Sequence, residues 1–182
     1  MENQLELDVY SGDLKPIITE VDPLLIVRPE IKIFGKIAHQ NRSVGFFSNE
    51  SVGYKYSNQI AKSIPLTPGL VKLLDEMNKK YGAKFNGILV NKYDGGSDYI
   101  GAHSDDESGL DQVGVIAISY GAVRKFRIRN KKTKEIIRDV PTESNGIIFM
   151  KGDFQKNFTH EIPIEKTVSG IRYSLTFRSH SK

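Results

Sequence analysis

The chain contains no cysteine. Disulfides and thiolate-ligated zinc are therefore excluded, and a reducing, intracellular setting is the natural expectation. Also missing is any apolar run near the roughly 20 residues that a membrane-spanning helix needs, so no membrane association is expected. The start, "MENQLELDVY", has neither the basic nor the apolar region of a secretory leader. Internal repeats and low-complexity tracts are absent, and nothing in the pattern demands an oligomer, so a monomer is expected.

What is present is a globular composition. The 182 residues are 38% apolar and 26% charged, which suits one domain with a real core. The net charge of +4 is unevenly spread: residues 1–30 hold two basic and seven acidic side chains, net −5, leaving +9 for the rest. In "RKFRIRNKKTKEIIR", residues 124–138, eight basic residues stand against one acidic one. Such a run suits a polyanion, because neutralising phosphates releases counterions. A charged, solvated hairpin tip is the ordinary alternative.

One helix is well marked. In "TPGLVKLLDEMNKKYG", Thr67 is the N-cap, Pro68 takes the first helical position and Gly82 stops the helix. Leu70, Leu73, Leu74 and Met77 form the i, i+3, i+4, i+7 stripe of a surface helix over a core. Beyond it, "FNGILVNKY", "VGVIAISY", "VRKFRIR", "GIIFMKG" and "IRYSLTFR" read as short strands between turns, with "RNKKTKE" joining two of them. Many antiparallel strands in about 100 residues argue for a sandwich or jelly roll. The region "IKIFGKIAHQNRSVGFFSNESVGYKYSN" reads as strands and a long loop decorating that core.

"IRYSLTFR" carries a further signal. Ile171, Tyr173, Leu175 and Phe177 alternate onto one face, Arg172, Ser174, Thr176 and Arg178 onto the other. The apolar face must meet the core, so the arginine face is either open surface or the lumen of a roll. A lumen holding two arginines needs an anion.

"NKYDGGSDYIGAHSDDESGL", residues 91–110, would ordinarily be a solvated acidic loop. An extended backbone, however, lets His103 and Asp105 reach one ion from the same side. With one more histidine they make the two-His, one-carboxylate set of non-haem iron(II) oxygenases. His39 lies in the front region and His180 in the terminal tail, which leaves His160 in "NFTHEIP" as the third ligand. A dicarboxylate cosubstrate on such an iron needs cationic clamps. Arg172 and Arg178 stand roughly 20 Å apart along their strand, so their side chains must lean inward to grip one ligand. Asn91 and Tyr93 share a face and could add hydrogen bonds.

The ordered set "N-x-Y", "H-x-D", distant His and "R-x5-R" resembles the AlkB-type iron(II)/2-oxoglutarate-dependent nucleic-acid dealkylases, over about residues 31 to 178. It is most similar to the branch that repairs double-stranded DNA, through "IFGK", "NKYDGGSDYIGAHSDDE", "SYGAVRKF" and "SLTFR". The resemblance implies a mainly β (α+β) fold with flanking helices and a double-stranded β-helix, or jelly-roll, core. It implies a dioxygenase domain over residues 31–182 with a nucleotide-recognition lid at about 31–60. The acidic segment 1–30 has no clear counterpart and reads as either an arm or an added strand.

By the same resemblance His103, Asp105 and His160 hold iron(II), while Asn91, Tyr93, Arg172, Ser174 and Arg178 bind 2-oxoglutarate. Ser174 stands where several members have Asn, which points to an altered clamp. Tyr54 and Tyr56, with Asp106 and Glu107, are implied in the base pocket of a base-flipping enzyme. Phe34 matches an apolar finger that wedges into the duplex, although its residue type alone reads as core. Arg42 matches a basic residue near the lesion strand, and Lys131, Lys132 and Lys134 would contact phosphates. The implied reaction is oxidative demethylation of N1-methyladenine and N3-methylcytosine in DNA, with 2-oxoglutarate and O2 converted to succinate and CO2 and formaldehyde released. An RNA demethylase of the same chemistry is the alternative; a nucleic-acid-binding protein that has lost catalysis is a more distant one.

Overall fold

Alternating strands organise the chain around two antiparallel sheets. The computed structural model describes residues 1–50, 53–56, 59–105 and 113–180, with backbone alone for Glu2 and for residues 53–56 and 59–61. The large sheet runs in the order β1 (Leu5–Val9), β12 (Gly146–Lys151), β9 (Gly114–Gly121), β14 (Arg172–Arg178), β7 (Gly87–Tyr93) and β4 (Ser43–Phe47). The small sheet runs β11 (Ile136–Pro141), β10 (Lys125–Asn130), β13 (Phe158–Ile162) and β8 (Ile100–His103). Two hairpins stand outside them, β2 (Glu30–Ile33) with β3 (Lys36–His39), and β5 (Gly53–Tyr56) with β6 (Gln59–Lys62).

Period-two alternation decides which side chains go where. On β9, Ile116 and Ile118 point outward into a core shared with the helices, while Val115 points inward. On β14, Tyr173, Leu175 and Phe177 join that outer core. Ile171 does not: it precedes the strand and is exposed, because the alternation loses its meaning where pairing ends. The inner face, with Ile148 and Met150, packs on Phe126, Ile128, Phe158 and Ile162 of the small sheet. The result is the jelly roll expected from the strand pattern.

The outer core is covered by α1 (Lys15–Val21) and α2 (Pro68–Tyr81). In α2 the Thr67 hydroxyl accepts from Leu70 N, Gly82 closes the helix at φ 59°, and Leu70, Leu73, Leu74 and Met77 are all buried. Thr67→Ala removes that cap and is expected to cost about 1 kcal/mol, read as a lower urea midpoint at unchanged slope.

The acidic N-terminal segment resolves as an added strand. β1 extends the large sheet against β12, with Leu5 opposite Met150. Leu14, Ile17, Ile18 and Val21 are buried in the outer core, so this segment is structural rather than a free arm. Asp22 then accepts from the Tyr173 hydroxyl at 2.5 Å and pairs with Lys92 at 2.8 Å, fastening the segment to the back of β14 and β7.

The run of eight basic residues divides on folding. Arg124 is buried. Arg127 pairs with Asp139 at 2.9 Å and Arg129 with Glu161 at 2.7 Å. Lys131 donates to the Gln155 carbonyl at 2.9 Å. Lys132 and Lys134 remain exposed at the β10–β11 turn, where the Asn130 side chain accepts from Lys132 N and Thr133 N. The charge offered to a polyanion is therefore narrower than the sequence count suggests.

Candidate metal and cosubstrate site

β8 and β13 are antiparallel neighbours, and their register sets His103 directly opposite His160. The two rings lie 4.3 Å apart by centroid. Asp105, two residues past β8, turns back between them: its carboxylate is 3.3 Å from His160 Nε2 and 3.9 Å from His103 Nε2. One ligand atom from each of the three lies within 4.8 Å of the others. Residues 103–105 are pinned from both sides. Ser104 Oγ donates to the Phe158 carbonyl at 2.7 Å, and Asp105 N donates to Gln155 Oε1 at 2.8 Å.

The protonation states favour a cation. His103 Nδ1 lies 2.8 Å from the Gly101 carbonyl, which can only accept. That puts the proton on Nδ1 and leaves the Nε2 lone pair for a metal. Burial, reinforced by His160, lowers His103 to about 4, so it is neutral at pH 7. Burial by itself would raise the Asp105 carboxyl, but Arg178 and the two histidines outweigh it and hold the group below the usual carboxylate range. Arg178 Nη2 reaches Asp105 Oδ1 at 3.3 Å. Phe126 stacks on His160 at 5.1 Å and fixes its ring plane.

The cluster opens on a cavity between the sheets. Inner-facing residues of β7 and β14 line it: Asn91 is paired with Ser174 and Tyr93 with Arg172, and all four face the lumen together with Thr176 and Arg178. Arg178 marks the metal end. Arg172 lies six residues further along β14 and is buried. Its Nη2 donates to Ser119 Oγ at 2.9 Å, while its Nε and Nη1 have no hydrogen-bond partner among the described residues. A buried guanidinium with orphaned N–H groups is costly unless an anion arrives. The arginine face of β14 is thus a lumen. Its donor set fits a metal bound by two histidines and a carboxylate, and its far end fits the second carboxylate of a 2-oxo diacid.

Other expected residues fall differently. Arg42, expected at the lesion strand, is buried and lines the same cavity, donating from Nε to Asn91 Oδ1 at 2.9 Å. It follows β3 and precedes the wholly buried β4, so the chain is turning inward at that point. Phe34 is fully exposed at the β2–β3 tip, with φ 49°, and the core reading of its residue type does not hold. Tyr54 and Tyr56 lie on β5, their side chains outside the described residues, as are Asp106 and Glu107. Ser119 and Gln155 had not been anticipated. Ser119 was legible as the one polar residue in the inward register of "VIAIS", whereas Gln155 gave no signal.

A set of candidate metal ligands at one end of a rolled sheet and a buried cation at the other fit an iron oxygenase that works with a 2-oxo acid. The family model described as "2OG-Fe(II) oxygenase superfamily" matches residues 28–178, and the chain belongs to that family. It is 31% identical to the DNA oxidative demethylase ALKBH2 of Mus musculus over 158 residues, 82% of this chain and 66% of that one. It is 29% identical to the human protein of the same name, with 81% and 60% covered. Against the alpha-ketoglutarate-dependent dioxygenase alkB homolog 3 of Bos taurus it is 32% identical over 121 residues, 62% of this chain and 42% of that one. The chain spans 60–66% of the length of the two demethylases named. The solved structure of OsALKBH1 superposes with a TM-score of 0.65 at 17% identity, covering 97% of this chain and 98% of that one, which shows a shared fold.

Proposed function

We propose that the protein removes N-linked methyl groups from nucleobases in DNA, N1-methyladenine and N3-methylcytosine foremost, using iron(II), 2-oxoglutarate and O2. The observation that carries this is the His103–Asp105–His160 cluster facing a buried, incompletely paired Arg172 along one cavity. Bound iron would supply the oxidation that hydroxylates the methyl group, after which the hydroxymethyl adduct releases formaldehyde and the unmodified base.

The chain's own residues do the rest. His103 and His160 present imidazole nitrogens, and Asp105, kept ionised by Arg178, presents the carboxylate. Arg172 and Arg178 meet the two carboxylates of 2-oxoglutarate, with Asn91, Tyr93 and Ser174 on the same wall. DNA as the substrate is supported by the names of the relatives and by the β2–β3 hairpin. A fully exposed Phe at a left-handed tip, flanked by exposed Ile33 and Ile37, suits insertion into a base stack. Lys132 and Lys134 would sit on phosphates. Asp106 and Glu107 would face the cationic lesion by Coulomb attraction, and Tyr54 and Tyr56 would stack on the base.

The test is anaerobic reconstitution with iron(II) and 2-oxoglutarate, then air and a duplex oligonucleotide carrying N1-methyladenine, followed by mass spectrometry. Loss of one CH2 mass, as N–CH3 becomes N–H, dependent on both additions, is expected, and faster on duplex DNA than on matched single strands or RNA. Succinate formed with every methylated oligonucleotide left intact would refute the nucleobase assignment while keeping the oxygenase.

A further inference from the structure

Arg124 belongs by sequence to the basic run, but its side chain is only 1% exposed. Its guanidinium donates to four main-chain carbonyls. Nη1 reaches Gly95 at 3.0 Å, and Nη2 reaches Gly96 at 3.4 Å, Asp98 at 2.8 Å and Pro163 at 2.7 Å. Nε meets Glu165 at 3.3 Å. These acceptors come from two segments. Residues 94–99 lead into β8 and so into His103; residues 163–168 approach β14 and its arginines. The segments are stitched together by Gly96 N to Val168 O and Glu165 N to Gly96 O, both 2.8 Å. The approach is so close that a Cβ at Gly96 would run into the Glu165 carbonyl.

Arg124 also touches the lumen wall. The Tyr93 ring has two guanidinium groups over it, with Arg124 Cζ 5.7 Å and Arg172 Cζ 5.3 Å from its centroid. Both distances are within cation–π reach, and Tyr93 is buried, so the position of its ring is set by the groups packed on it, Arg124 among them. Arg172 depends on that ring and on Ser119 for its aim, since its Nε and Nη1 have no other partner among the described residues.

We propose that Arg124 is a positioning residue for the cosubstrate clamp. It locks the segments before β8 and β14 together and backs Tyr93, and thereby holds Arg172 aimed at the distal carboxylate of a 2-oxo diacid. The inference rests on the reading of this cavity as the 2-oxoglutarate site. Lysine is no substitute: one ammonium cannot reach four carbonyls and a carboxylate from a planar fork, nor stack on Tyr93 in the same way.

The experiment compares two ligands on Mn(II)-loaded protein by calorimetry: 2-oxoglutarate, and 2-oxovalerate, which has a methyl in place of the distal carboxylate. Arg124→Lys is expected to weaken 2-oxoglutarate at least ~10-fold, in the range of lost outer-shell support, while 2-oxovalerate and Mn(II) affinities stay within about twofold of wild type. Parallel weakening of both ligands, or no change in either, would overturn the role. Should Arg124→Lys not fold, Glu165→Gln carries the test, with an expected selective loss of about threefold from one weakened hydrogen bond. A folded Glu165→Gln protein with unchanged ligand preference then counts against it. Arg172→Ala separates the two levels. If wild type shows no preference for the diacid, the cavity reading itself fails. If Arg172→Ala erases the preference and the Arg124 variant keeps it, only the Arg124 role falls.

Discussion

His103→Ala is expected to abolish iron- and 2-oxoglutarate-dependent turnover, by at least ~10³-fold given the several kcal/mol a bound metal supplies, while leaving duplex DNA binding close to wild type. The geometry separates the metal-ligand cluster from the surface proposed to meet DNA. His103 presents its Nε2 to Asp105 and His160 at the cluster, whereas Phe34 and the exposed lysines lie on the β2–β3 and β10–β11 turns. Asp105 makes a less clean target, because removing it takes a carboxylate from the buried Arg178 cation and confounds activity with stability. His103 is neutral at pH 7, so its loss strands no charge. The same variant tests that protonation state. With the folded value near 4 and the unfolded value near ~6.5, the unfolded chain binds a proton across that window and the folded chain does not. Metal-free wild type should therefore lose stability as pH falls from ~6.5 to about 4. His103→Ala should lose less, though not nothing, since burial and Arg178 lower His180 to about 4 as well. Urea midpoints at pH 7 and pH 4.5 in the presence of a chelator measure this. Equal losses in both proteins would mean that His103 is already charged or unburied. Formaldehyde release by the variant would remove it from the metal site altogether.

The parts of the fold legible in the sequence are those where a local period coincides with burial. The α2 cap, stripe and stop are all local, and so is the alternation of β14, which puts both arginines on one face but leaves open whether that face is surface or lumen. The pair His103 and Asp105 was readable because a period of two is enough to bring them to one side. Less legible were features made by pairings distant in sequence. β1 carries a conventional apolar alternation, yet only its register against β12, some 140 residues later, makes it an edge strand rather than an arm. Arg42 and Arg124 have the composition of a nucleic-acid surface and the environment of a core. What decides their place is the supply of buried acceptors, Asn91 Oδ1 for one and the carbonyls of residues 95–98 and 163 for the other, and no window of sequence displays that supply. Gln155, which accepts from Asp105 N, reaches the site from the short helix α3 (Phe154–Asn157) and was invisible for the same reason.

Arg172→Met should act in opposite directions on binding and on stability. Truncating one partner of a desolvated charge pair typically costs ~2–5 kcal/mol of binding, so the 2-oxoglutarate dissociation constant should rise at least ~30-fold. The metal-free fold should gain. Arg172 is a buried cation with one hydrogen bond to Ser119, two orphaned nitrogens and, among the described residues, no carboxylate within ion-pair distance. Replacing a buried ion by an apolar side chain of similar volume is neutral or stabilising by ~1–4 kcal/mol. Leaving the Ser119 hydroxyl unpaired returns about 1 kcal/mol of that, and losing the Tyr93 ring contact returns about 1 kcal/mol more. A net gain of ~1 kcal/mol corresponds to a rise in Tm of about 2–4 °C for a chain of this size. Scanning calorimetry on metal-free protein reads the stability effect, and repetition with Mn(II) and 2-oxoglutarate reads the binding effect: wild type should move upward with ligand, and the variant should gain little beyond the metal's share. A variant that melts lower without ligand, and is still raised by 2-oxoglutarate as far as wild type, would show that Arg172 is already satisfied within the protein. The cation that receives the distal carboxylate would then have to be sought elsewhere in the cavity, with Arg42, 2.9 Å from Asn91, as the next candidate.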